Sequence, residues 1–258
     1  MTQRFRRSIA CCVLLGGLAA VACGGETAGE VVTIEIALKS APSEGDSVSD
    51  FETNTGYTVA LEEASVRLGP LFAFAPEPMA RARPSLRQLL SEAFVSVAHA
   101  HGGVDLVSGR MVRAEWLEPE TLDALDTDAF VLGEIEAEQG VIDAITLELA
   151  REASEGAQVE LRGTAARDGE TVAFEGSLTL GDDPLERRVE LVHEHIELTA
   201  GGRLTIVVHP NAWLRGAELD RAPVDGDGVA SLTQDSQPGR AFEIAARSPA
   251  AFSIEWRP

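Results

Sequence analysis

The dominant pattern along this chain is alternation of apolar and polar residues with a period of two. Val31 to Leu38 reads VVTIEIAL, alternating and rich in β-branched side chains, which predicts a strand. In 51–74, Val59, Leu61, Ala64, Val66 and Leu68 predict one or two strands with a break near Glu63. The same period returns at 110–117, 130–135, 141–150, 158–166, 170–180, Arg188–Leu198, 203–209, 240–245 and 251–256. Short Gly/Asp turns, such as Arg167-Asp168-Gly169 and Thr199 to Gly202, separate several of them. One stretch follows the helical period instead. Leu86, Leu89, Leu90, Ala93 and Phe94 share one face, and Ser85 with Gln88 forms a capping box, so a short helix is expected at about 85–94. Residues 119–126 read as one helical turn, and 220–239 as a polar loop. Many short strands with tight turns predict a mostly β domain: an antiparallel β-sandwich or sandwich-like barrel with that one helix.

The N-terminus breaks the pattern. Arg4, Arg6 and Arg7 precede an apolar run from Ile9 to Val21 that is too short for a spanning helix, and small residues lead to Cys23. Residues 1–22 therefore read as a signal peptide. The run before Cys23 resembles the lipobox of bacterial lipoproteins, with Ala20 where Leu is usual. That resemblance implies cleavage before Cys23 and lipidation of its thiol. The alternative is an ordinary secretory cut near Ala22 with Cys23 left as a free thiol. Gly24 after the cysteine points to the outer membrane of a Gram-negative envelope, by the sorting habit of such lipoproteins. Residues 23–30 then form a lipidated tether to the membrane, and 31–258 the β-rich domain, with a weak composition boundary near 152–156. All three cysteines (Cys11, Cys12, Cys23) lie in or beside the leader, so the domain must fold without disulfides.

The net charge of −21 makes nucleic acid an unsuitable partner, because a surface of that sign repels phosphates. Lys39 is the only lysine.

The segment Phe51-Glu-Thr-Asn-Thr-Gly56-Tyr-Thr-Val-Ala-Leu61, the following Leu68-Gly-Pro70 and the late Pro210-Asn-Ala-Trp213 together resemble a group of uncharacterised bacterial lipoproteins. Its members share F-x-T-x-x-G-x-x-V-x-L, a His-containing loop and P-x-x-W. The resemblance spans roughly 30–256 and implies an exported β-protein without a known activity.

The five histidines are grouped. His99 and His101 form HAH, His193 and His195 form HEH, and His209 stands alone. On a strand, i and i+2 share a face, so an H-x-H pair can chelate one copper or zinc ion. If 188–198 and 203–209 pair as a hairpin with partners summing to 402, His193, His195 and His209 converge; at 403 they do not. Two solvated His on a polar strand face are the competing expectation. For His99 and His101 the competing expectation is the C-terminal end of a continued helix closed by Gly102-Gly103. Whether 95–101 is helix or strand stays open.

Other motifs are weak. Asp225-Gly-Asp227-Gly lacks the downstream Glu of a calcium loop and reads as a turn. No G-x-S-x-G elbow, Walker loop or G-x-G-x-x-G is present. Asp123, Asp126 and Asp128 read as a solvated turn, and Trp116, Trp213 and Trp256 as core. The sequence thus leads to a lipid-anchored, non-catalytic binding or interaction module for a protein or small ligand. The alternative is a periplasmic copper or zinc binder, with a hydrolase a distant third.

Overall fold

The computed structural model describes residues 29–45, 47–76, 110–150 and 156–258. The leader, Cys23, the helix expected at 85–94, His99, His101 and most of the boundary near 152–156 lie outside them. The chain divides into Met1–Glu30 and Val31–Pro258, and the second unit carries the fold.

The fold is mostly β. Among the described residues thirteen strands join one hydrogen-bonded network. In chain order they are β1 (Val31–Ser40), β2 (Asp50–Glu52), β3 (Thr58–Phe74), β4 (Val112–Trp116), β5 (Glu120–Asp123), β6 (Phe130–Glu138) and β7 (Gly140–Leu149). They continue with β8 (Val159–Arg167), β9 (Glu170–Leu178), β10 (Arg188–Leu198), β11 (Arg203–Val208), β12 (Val229–Leu232) and β13 (Phe252–Arg257).

The longest strand, β3, organises the molecule. Along one edge it pairs in turn with β2, β5 and β4; along the other with β8 and then β7. Its first half belongs with β8, β9 and β12. Its second half belongs to the path β10-β7-β3-β4-β6-β1-β11-β13. The ends of that path, β10 and β13, lie beside each other, so the layer turns back on itself as in a sandwich-like barrel. The break expected near Glu63 is real, but it is a bulge inside one strand. The β3–β8 register slips between Leu61 and Glu63, which leaves Glu62 unpaired.

Alternation decides what faces inward. On β1 the even residues Val32, Ile34, Ile36 and Leu38 are buried, and β11 adds Leu204 and Ile206 beside them. Val59, Leu61, Val66 and Leu68 of β3 join the same core, with Trp213 and Phe242 fully buried. Each such side chain contributes about 1.5–3 kcal/mol by leaving water.

Four expectations need correction. Not every pair is antiparallel: β1–β11 and β12–β9 run parallel. Residues 120–123 form strand β5, not a helical turn, because Leu122 is buried opposite Val66. Residues 240–245 belong to a helix, α2 (Gln237–Ala246), the second after α1 (Pro184–Arg187). Ser236 caps it by accepting from Gly239 N at 3.0 Å, Pro238 sits in its first turn, and Phe242 and Ala246 bury one face. The loop expected at 220–239 contains strand β12. The hairpin turn at Asp168-Gly169 is as expected, with both residues at positive φ (55° and 86°).

Candidate functional site

A solvent-open groove of about 830 Å³ lies over β5, β3, β8 and β9. Its floor follows from the same alternation. Val159 and Leu161 of β8 point into the core, while Glu160 and Arg162 stand outward. Across the strands Glu160 faces Ser177, Arg162 faces Glu175, and Ser65 faces both Glu160 and Asp123. The bulge in β3 adds consecutive exposed carboxylates at Glu62 and Glu63.

Among the described residues, Glu62, Glu63, Asp123, Glu160 and Glu175 therefore line the groove together with the cation Arg162, and Arg67 reaches its rim by donating to Thr121 Oγ1 at 3.2 Å. Arg162 approaches Glu62 at 3.7 Å and Glu63 at 4.0 Å. Both are long, exposed ion pairs of little energy, so they leave the carboxylates available to an incoming charge. The sequence signalled this site only as acids on alternate strand positions. Nothing in it said which strands would lie side by side. Asp123, read there as part of a solvated turn, is on β5 and lines the groove.

The histidines are placed differently from the hairpin considered in the sequence. β10 pairs with β7, and β11 pairs with β1 and β13. The turn at 199–202 thus carries the chain from β10, at one end of the path, to β11, next to the other end, and does not close a two-stranded ladder. Pairing of β10 with β7 holds at Val192–Ala144 and resumes at Ile196–Ile142. His193, Glu194 and His195 consequently oppose the single residue Asp143, a wide bulge that ejects the HEH motif from the ladder. Asp143 is held by an ion pair with Arg110, which also stacks on Phe74 with its guanidinium carbon 5.3 Å from the ring centroid. His193 is half-buried, and that burial pushes its imidazole pKa below the ordinary 6.5; His195 is exposed.

His209 is elsewhere. Its Nδ1 lies 2.8 Å from the Ala41 carbonyl and its Nε2 2.9 Å from Ser253 Oγ, so both ring nitrogens are engaged. Among the described residues no group of three or more His, Cys, Asp or Glu is arranged to hold a metal.

Other candidates resolve into structure. Asp225 Oδ1 accepts from Asp227 N and Val229 N, each at 2.9 Å, closing a turn. Trp213 is wholly enclosed, and its indole N–H has no partner among the described residues. Trp116 donates to Glu118 O at 2.6 Å. Tyr57 is locked by charge. Its hydroxyl donates to Asp220 Oδ1 at 2.8 Å, and Arg167 both covers its ring at 4.2 Å and pairs with Asp220 at 2.9 Å. The Tyr57 hydrogen bond, followed by Arg167, holds the Asp220 carboxyl below its usual range, while burial raises the Tyr57 pKa.

No family model matches the chain, and no curated protein matches it. Among solved structures it is similar to MbnP from Methylosinus trichosporium, at 10% identity and a TM-score of 0.40, covering 89% of this chain and 99% of that one. No helix among the described residues is long and apolar enough to cross a membrane.

Proposed function

We propose that this protein is an envelope lipoprotein, anchored through Cys23, whose β domain is a non-catalytic binding module. The acidic groove is its ligand surface. The observation that carries the reading is the charge of a concavity whose described lining holds five carboxylates and one weakly paired guanidinium on strands of one sheet. Paired strands fix the backbone positions from which these side chains project, which removes the backbone share of the ordering cost of binding. Such a surface favours a cationic ligand and repels an anionic one.

Titration calorimetry with a short oligo-arginine peptide tests it. Binding should weaken about tenfold or more between low and physiological ionic strength. It should also fall on Glu160→Gln/Glu175→Gln, which leaves the fold intact because both side chains are exposed. Absence of binding at low salt, or binding indifferent to the double substitution, overturns the reading. The anchor has a separate test: Cys23→Ser should release the protein from membranes.

The HEH bulge favours a second reading, copper or zinc binding at His193 and His195. Both residues are unpaired in the β7 ladder, and burial of His193 favours its neutral imidazole, the form that coordinates metals. Elemental analysis of untagged protein after loading should give stoichiometric metal that His193→Ala/His195→Ala removes; sub-stoichiometric metal in the parent chain defeats this reading.

A further inference from the structure

β5 borders the acidic groove as an edge strand. It pairs with β3, and no second strand of the described residues pairs with its other side. The ladder to β3 fixes which backbone groups of β5 are used. Ala124 N donates to Ala64 O at 2.8 Å, and the register continues through Leu122–Val66 to Glu120–Leu68. An antiparallel ladder bonds through every second residue, so Leu122 and Glu120 turn their N–H and C=O towards β3. Thr121 and Asp123 turn theirs away. The Asp123 carbonyl accepts from Asp126 N at 3.2 Å. The outward N–H and C=O of Thr121 and the outward N–H of Asp123 are left for another chain.

This edge is open and fixed. Thr121 and Asp123 are exposed and line the groove, while Leu122 between them is buried and pins the strand to the core. Such an edge is a template for an added strand. Charge decides which strand fits. An added strand lies about 4.8 Å from β5 and extends the row Asp123–Ser65–Glu160–Ser177 by one position. Its alternate side chains then project over the same face as that row. One of them stands beside the Asp123 carboxylate, whose Oδ1 is held by Leu125 N at 3.0 Å. Glu63 on β3 is two strand spacings away, about 10 Å, a gap that an arginine and a glutamate close between them. β5 has four residues, so its edge forms few bonds and the carboxylates supply much of the attraction.

We propose that the ligand of the groove is an extended basic peptide that adds to β5 as a further strand. Its backbone bonds Thr121 and Asp123, and its alternate side chains meet Asp123 and Glu63. This rests on the reading of the groove as a cation-binding surface. It adds a requirement for a peptide backbone, which a polyamine of the same charge does not meet.

Titration calorimetry at low ionic strength, on the full chain, compares end-blocked hexa-arginine with two N-methylated forms. Methylating every second backbone nitrogen leaves one edge of the peptide intact, so affinity should stay within a few-fold. Methylating every nitrogen keeps the charge but removes the edge, and affinity should fall about tenfold or more, as expected for one or two lost hydrogen bonds. Thr121→Pro deletes an outward N–H that β3 does not use, and should weaken hexa-arginine to a similar extent. Thr121→Val keeps that N–H while losing the hydroxyl that accepts from Arg67, and should bind as the parent chain does. Circular dichroism and thermal melting confirm that each variant is folded; if Thr121→Pro is not, the methylated peptides decide alone. Equal affinity for unmethylated and fully methylated hexa-arginine overturns strand addition and leaves the cation-binding surface standing. Undiminished binding by folded Thr121→Pro does the same. No binding of hexa-arginine to the parent chain overturns both.

Discussion

Single residues carry much of the stability. Trp213 fills the core completely although its indole N–H finds no partner among the described residues, so its packing outweighs an unpaired donor. Trp213→Ala should cost about 3–5 kcal/mol in urea unfolding; a loss below 1 kcal/mol would show that the site collapses around the gap. His193 sets a pH response. Its pKa is lowered in the folded state, so the unfolded chain takes up the proton first as pH falls below about 6.5. Folding stability is therefore whole above that pH and declines beneath it. Urea midpoints of metal-free protein at pH 7.5 and 5.5 should differ, and His193→Gln should narrow the difference. An unchanged gap would assign the acid sensitivity to other groups. The sequence marked His193 and Trp213 as residues of interest, but the environment of each depends on tertiary contacts that no local spacing encodes.

At the scale of elements, strands were legible and their partners were not. β1 and β10 show themselves through side-chain alternation, which is local. The pairing of β10 with β7 and of β11 with β1 depends on how a curved layer closes, and alternation says nothing about that. Helix α2 was hidden because Ala241, Phe242, Ile244 and Ala245 satisfy a period of two nearly as well as one of 3.6; the decisive signal was Ser236-Gln-Pro at its start. β12 was hidden by brevity, four residues among turn formers. In β3, Gly69 has φ +123°, and a Cβ there would lie 2.8 Å from Glu118 O. Gly69→Ala should destabilise by at least about 1–2 kcal/mol from backbone conformation alone. A neutral result in thermal melting would mean that the 118–119 segment moves aside freely.

For the whole molecule, charge is the governing quantity. A net charge of −21 sets carboxylates against one another across the surface, and the groove gathers five of them. Melting temperature should rise with sodium chloride as the repulsion is screened, and Glu160→Gln/Glu175→Gln should reduce the slope. A flat dependence would show that ion pairs such as Lys39–Glu255 and Arg215–Glu44 already offset the repulsion. The sequence announced the charge but not its concentration on one face, because Glu63, Asp123, Glu160 and Glu175 come together only through the registers of β3 with β5 and β8, and of β8 with β9.

The parallel pairing of β1 with β11 also orders events in time. β1 begins at Val31, ahead of the other strands among the described residues, so it emerges before them during synthesis. One of its neighbours, β6, begins at Phe130, and the other, β11, only at Arg203. Val32, Ile34 and Ile36 therefore spend most of the chain's emergence without their final cover, a slow, non-local closure. Until Val208 has appeared, one edge of β1 lacks the strand that pairs with it in the finished fold.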